Sequence, residues 1–383
     1  MSGTKRSAFS EWWSTTDRVA LVAILALFAI GLVLAFAASP AATGGPMTEG
    51  DFRYAAKQIA FAAIAVVILA ATSGLRPRTI KITAAVIWTV ALALSVATLF
   101  AGGEVLGAKR WLNLGWLTLQ PSEFLKPSFA VLAAAILADD KGFVMPKHLL
   151  TLLLLAPALV ILLLQPDVGQ TALLLALWAT LLFFNGVSVR WMGALAGSGA
   201  VLGSLAYVFI PHVHHRINQF FDSHESGYQP GLALKAFARG GLAGVGPGAG
   251  TVKYHLPDAH SDFIFAVAGE EFGVLFCGVI VLLFCVLSVR VLLRSTRVGD
   301  AFAALAGAGL ACVVALQAFI NMGVAVSLLP TKGMTLPFIS YGGSSLFAIA
   351  LTMGFALAVT RQRSRIGESP YDLFAFLRAP QPA

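Results

Sequence analysis

The sequence predicts an all-α, polytopic membrane protein with about ten transmembrane helices and a long extracytoplasmic loop between helices 7 and 8. Three observations carry this. First, the 383 residues are 58% hydrophobic and only 11% charged, whereas soluble domains carry about 25% charged residues. A surface so poor in charge does not face water. Second, apolar runs of about 20 residues recur along the chain, long enough to cross ~30 Å of hydrocarbon as helices. They are continuous rather than alternating, which argues against a β-barrel. Third, the loops between them alternate between basic and mixed or acidic.

The spans fall near 19–39, 54–73, 81–101, 124–138, 148–165, 171–186, 191–211, 263–289, 301–328 and 338–360. The first follows Lys5 and Arg6, as a signal peptide would, but it is longer than the about 7–15 residues of a signal core and reads as an uncleaved span. The fourth is short and could extend back into the preceding loop. The basic loops hold Arg76, Arg78 and Lys81, then Lys141 and Lys147, Arg190, Arg290 to Arg297, and Arg361 to Arg365. The positive-inside rule places them in the cytoplasm with both termini, which requires an even number of spans. The organisation is then a cytoplasmic segment 1–18, a single transmembrane domain 19–360 with its extracytoplasmic loop at 211–262, and a cytoplasmic tail 361–383.

The net charge of +8 reads as this cytoplasmic excess and not as a nucleic-acid surface. Cys277, Cys285 and Cys312 lie in apolar runs and imply no disulfide framework. No Walker-type phosphate loop is present. His212, His214 and His215 lack the further ligands of a zinc site. Four extracytoplasmic segments stand out: 102–123, 165–170, the loop of about fifty residues at 211–262, and 329–337. A structureless loop of that length is uncommon, and its middle, Gly231 to Gly246, mixes apolar residues with Lys235 and Arg239 as an interfacial or re-entrant helix does.

Several residues could carry chemistry. Asp262, at the mouth of the eighth span, is either a solvated helix cap or a partly desolvated carboxylate raised toward a general base's range. Glu270 and Glu271 lie inside that span and either pair with a basic residue or line a cavity or proton path. Lys126 either snorkels to the outer interface or joins Arg110 and Lys332 around an anionic headgroup such as a pyrophosphate. Ser340 to Ser345, with Tyr341 and two glycines, reads as close helix packing or as substrate contact.

The motifs then become specific. Lys109-Arg110-Trp111-Leu112-Asn113-Leu114-Gly115, Gln120-Pro121-Ser122-Glu123-Phe124-Leu125-Lys126, Gln165-Pro166-Asp167-Val168-Gly169, Gly227-Tyr228-Gln229, Gly240 to Gly246, Leu256-Pro257-Asp258-Ala259-His260-Ser261-Asp262-Phe263 and Ser340-Tyr341-Gly342-Gly343-Ser344-Ser345 occur in order. With these the chain resembles the SEDS family (shape, elongation, division and sporulation) from the first span to Arg365. Leu329-Pro330-Thr331-Lys332-Gly333-Met334-Thr335-Leu336-Pro337 is similar to the FtsW-like division branch and not to the RodA-like elongation branch. The chain departs at Asp258, Ser261, Pro247-Gly248-Ala249-Gly250 and a shorter 222–226.

The resemblance implies a peptidoglycan glycosyltransferase that polymerises lipid II at the division septum of the bacterial inner membrane. It implies Asp262 as the catalytic carboxylate, with Arg110, Glu123, Lys126, Lys332, His260, Ser261, Ser340 and Tyr341 on the substrate. A divalent cation, magnesium or manganese, could assist the pyrophosphate; no metal ligands are assigned and no organic cofactor is expected. The implied partners are lipid II, the growing glycan strand, a class B penicillin-binding protein (an FtsI-like transpeptidase) and other divisome proteins. Two alternatives stand beside this: a lipid II flippase, which should depend on charges deep in the spans such as Glu270 and Glu271, and a non-catalytic scaffold for the transpeptidase.

Overall fold

The structure, a computed structural model, describes residues 8–43, 52–105, 108–115, 117–140, 142–209, 214, 218, 228–330 and 333–361. Ten of its helices coincide with the ten predicted spans. A short α1 (Ala8–Thr15) precedes α2 (Arg18–Thr43), α3 (Arg53–Ser73) and α4 (Pro77–Ala101). Next come α5 (Ser122–Leu137), α6 (Lys147–Leu164), α7 (Val168–Phe184) and α8 (Val189–Phe209). After the long loop follow α9 (Tyr228–Gly240), α10 (Ile264–Arg297), α11 (Ala301–Ala325) and α12 (Gly343–Val359).

The caps explain several boundaries. Pro77 opens α4 at a position where its missing N–H costs nothing. Asp167 and Asp300 cap α7 and α11 by accepting the backbone N–H of Gln170 and Ala303. Two boundaries differ from expectation. α10 continues to Arg297, because Arg290 and Arg294 are helical residues that pair with Asp17, not loop residues. α12 starts five residues late, because 336–342 forms turns that belong to the site.

The bundle is built around α5, α11 and α12. Every residue of α12 is buried, as expected of a helix that is apolar on all sides. It packs on α3 so closely that a Cβ at Gly354 would strike the Thr72 side chain. The outer helices leave Val22, Val67, Leu163 and Leu282 more than half exposed, whereas Lys126, Glu123, Lys253, Glu270 and Glu271 are buried. Apolar side chains outside and charges inside are the arrangement a hydrocarbon solvent selects. Among the described residues seven helices are long and apolar enough to cross a membrane, and α7 and α12 are shorter apolar helices.

The two ends of the described chain meet on one face. Arg361 Nε donates to Thr15 Oγ1 at 2.9 Å, and Trp12 Nε1 donates to Ser73 Oγ at 2.8 Å. Asp17 caps α2 through Val19 N and receives Arg290 and Arg294 on its other oxygen. Burial opposes the charge of Asp17, but these guanidinium and backbone donors hold its carboxyl below the usual range.

The segment 102–123 is not a plain loop. It forms a three-stranded antiparallel sheet, β1 (Gly103–Val105), β2 (Ala108–Asn113) and β3 (Thr118–Leu119), in that order. Leu112 pairs with Leu119, and Asn113 with Thr118. The amphipathic helix expected at 231–246 is α9, three residues earlier at its start and ended by tight turns from Gly241 onward.

Candidate active site

Asp262 ends the long loop, two residues before α10. It is not a helix cap, since Phe263 holds the cap position and no side chain caps there. The backbone around it is tied down carbonyl by carbonyl. His260 O accepts from Tyr341 N at 2.9 Å, Ser261 O from the Ser340 hydroxyl, and Asp262 O from Asn321 Nδ2 at 2.8 Å. Asn321, on α11, also donates to Met334 O at 2.6 Å. The residues on either side of Asp262, Ser261 and Phe263, both donate their N–H to Asp258 O, which closes the turn. These contacts make a rigid collar from three separate parts of the chain.

The carboxylate inside this collar is different. Among the described residues nothing donates to it. A Cβ at Gly333 would stand 3.3 Å from Asp262 Oδ2, so the backbone at Gly333 passes directly against the oxygen. Asp262 keeps some accessible surface while protein surrounds it nearly completely. That combination describes the floor of a recess. Burial, and then the negative charge of Asp258, push its carboxyl up to about 7. It is therefore far more basic than an ordinary aspartate.

His260 stands beside it in a ring cluster, 4.8 Å from Tyr54 and 5.5 Å from Tyr341 between centroids. Burial lowers its basicity against the pull of Asp258, so the imidazole is neutral near pH 7 and can donate or accept. Ser340 serves the frame: its hydroxyl accepts from Leu336 N and donates to Ser261 O.

Lys126 does not snorkel. It is buried, with Nζ 2.7 Å from Glu123 Oε2 and 2.9 Å from Gln317 Oε1. The interface lies beyond its reach because α5 is walled in by other helices. Glu123 Oε1 accepts from Gln170 Nε2 at 2.6 Å, and Gln317 Nε2 reaches Thr335 O at 3.2 Å. The network therefore runs from α7 through α5 and α11 to the segment that touches Asp262. Arg110, on β2, is committed elsewhere: it donates to Gln165 O and Pro166 O and lies 3.8 Å from Asp167. Burial raises Asp167 in spite of this guanidinium. Lys332 lies outside the described residues, as do His212 and His215.

Thus His260, Ser261, Ser340 and Tyr341 gather around Asp262, Glu123 and Lys126 join it through Gln317, and Arg110 pins the sheet to the α6–α7 turn. Sequence reasoning missed Gln317 and Asn321. Two amides four residues apart in an apolar span share one helix face, and that spacing is a readable sign of a polar interior.

Fold and site define a polytopic membrane protein with a carboxylate, unpartnered among the described residues, in a recess where a long loop enters the helix bundle. The family model described as cell cycle protein, for FtsW, RodA and SpoVE, matches residues 18–365, and the chain belongs to this family. It is 42% identical over 363 residues to the probable peptidoglycan glycosyltransferase FtsW of Caulobacter vibrioides, covering 94% of this chain and 93% of that one. The Nitrosomonas europaea protein of the same name is 34% identical, with coverages of 90% and 92%. Among solved structures, a chain of a peptidoglycan synthase complex described as coordinating polymerization and crosslinking superposes with a TM-score of 0.75 at 25% identity, covering 90% of this chain and 97% of that one. The rod shape determining protein RodA of Thermus thermophilus superposes with a TM-score of 0.67 at 26% identity, covering 91% and 97%.

Proposed function

We propose that this chain is a peptidoglycan glycosyltransferase that polymerises lipid II, with Asp262 as general base. The observation that carries this is the Asp262 carboxylate itself: held by its backbone, unpartnered among the described residues, and poised near neutrality. The reaction needs little else. Asp262 takes the proton of an acceptor sugar hydroxyl as that oxygen attacks the donor's anomeric carbon. The bond to the polyprenyl pyrophosphate breaks, and the leaving group departs with the electron pair. An α-linked donor gives a β-linked product in one inversion, so a single carboxylate suffices, unlike the two of hydrolases.

Cations must meet the pyrophosphate. Lys332 is assigned to it, Arg110 to the wall that holds the α6–α7 turn, and the buried Lys126 to the Glu123–Gln317 network beneath the site. A magnesium or manganese ion would neutralise the leaving group. Among the described residues no three carboxylates, histidines or cysteines gather into a metal site. Substrate oxygens would hold such an ion, and no residue of the chain is assigned to it. The face carrying α1 and Arg361 is assigned to the cytoplasm and Asp262 to the opposite face, in the inner membrane at the septum. A class B penicillin-binding protein is the assigned partner, together with other divisome proteins.

The flippase reading loses its best residues, because backbone N–H groups fill both oxygens of Glu270 and Lys253 neutralises Glu271. The test is polymerisation of lipid II by purified protein with its transpeptidase. Asp262→Ala should lower the rate at least about a thousandfold while the protein remains monodisperse. Full activity in that variant would sink the assignment.

A further inference from the structure

Glu270 is a fully buried carboxylate, two turns into α10, for which the reaction has no use. Its two oxygens accept three consecutive backbone N–H groups. Oε1 takes Thr251 N at 2.7 Å and Val252 N at 2.8 Å, and Oε2 takes Lys253 N at 2.9 Å. Arg239 Nε lies 3.6 Å away. Beside it, Glu271 pairs with Lys253 Nζ, which also donates to Ala37 O at 2.7 Å on α2.

The local backbone is arranged to allow this. α10 breaks at Gly273, where φ is 81° and ψ 174°, a conformation that glycine adopts without strain. The groups released by the break pair with the turns after α9. Val274 N donates to Gly241 O and Leu275 N to Leu242 O, while Val245 N and Gly246 N donate to the carbonyls of Glu270 and Glu271. The break lies about 14 Å into the helix at 1.5 Å per residue. The turns therefore enter the bundle, where every backbone group needs an internal partner. Gly250 packs against this carboxylate, since a Cβ there would stand 3.0 Å from Glu270 Cδ and press on it.

The consequence concerns Asp262. The chain leaves the Glu270 clamp at Lys253, reaches Asp262 nine residues later, and returns to Glu270 after eight more. Closing so short a loop at its base removes most of its alternative paths. We propose that Glu270 is a positioning residue for Asp262: by gripping the backbone of Thr251 to Lys253 it closes the loop that holds the Asp262 carboxylate in its recess. This rests on Asp262 as the working base and deepens that reading.

The test compares wild type, Glu270→Gln and Glu270→Asp, each with its transpeptidase, by two readouts. The first is lipid II polymerisation. The second is labelling of protonated Asp262 by dicyclohexylcarbodiimide as a function of pH, mapped by peptide mass spectrometry. Glu270→Gln replaces one accepting oxygen by a donor facing backbone N–H groups. It should slow polymerisation about 100-fold, as a misplacement of about 1 Å can. It should also lower the half-labelling pH of Asp262 by about one unit or more, because a released carboxylate meets more water. Glu270→Asp keeps the charge and should fall between the two, which secures the comparison if the amide variant does not fold. A half-labelling pH unchanged in the folded variants, whatever their rate, would overturn the proposal. Absence of polymer from wild type would instead overturn the glycosyltransferase reading, and the labelling shift would still report on Glu270.

Discussion

Asp262 on one side and Glu270 with Glu271 on the other lie within nine residues of one another, yet they are treated in opposite ways. Both glutamates are buried: Glu270 receives three backbone N–H groups on its two oxygens, and Glu271 pairs with Lys253 through Oε1 while its Oε2 has no partner among the described residues. Asp262 keeps a wet edge and receives no donor from the described residues. The difference separates scaffold from reagent. A saturated carboxylate has no lone pair to spend on a substrate proton, whereas an unpartnered one in a recess is both basic and reachable. Location inside a span therefore does not identify the working charge; the state of its partners does.

The comparison can be broken most severely at the buried, paired end. Lys253→Met strands Glu271 as a buried, unpaired charge, and removing one partner of such a pair costs about 3–5 kcal/mol. We expect a large fall in thermal midpoint in detergent, recovered in good part by adding Glu271→Leu. A Lys253→Met protein as stable as wild type would show that the pair does not hold the loop.

The unsaturated end should behave in reverse. The carboxyl of Asp262 is raised in the folded state, so folding opposes its ionisation. No cost applies while it is protonated in both states. The cost builds as pH rises from about 4 to about 7 and is constant above. A shift from 3.8 to about 7 amounts to at most about 4 kcal/mol, reduced by solvent at the exposed edge. Asp262→Asn should therefore be inactive and more stable than wild type at pH 8, with the gain vanishing near pH 4. Loss of stability at pH 8 would mean that the carboxylate is a structural partner after all. Asp258→Asn is the finest probe. It removes the second cause of the raised carboxyl and should move the acid limb of activity down by a few tenths of a pH unit.

Most spans were legible because hydrocarbon imposes a length and a charge rule that seven of the described helices obey alone, whereas α7 and α12 are shorter and α5 carries Glu123 and Lys126. The small sheet was not, since strands of two to six residues carry no sustained alternation. The end of α10 was obscured because arginines at a membrane edge read as loop. In the site, Asp262 was visible as a carboxylate at a span mouth. Glu270 and Glu271 left two readings open, and pairing is the one found. Their partner Lys253 could not be seen, because a lysine in a long loop gives no sign that its chain re-enters the bundle. Lys126 was open between interface and interior, and the choice depended on which helices surround α5, a property of packing and not of α5 itself.

The account stands on Asp262 as a base poised near neutrality. Its most direct test is the pH dependence of lipid II polymerisation by wild-type protein with its transpeptidase, from pH 5 to 8.5 at saturating substrate. A single acid limb with its midpoint near 7, activity falling tenfold for each unit below it, is the predicted result. Activity that stays level down to pH 5 would contradict it.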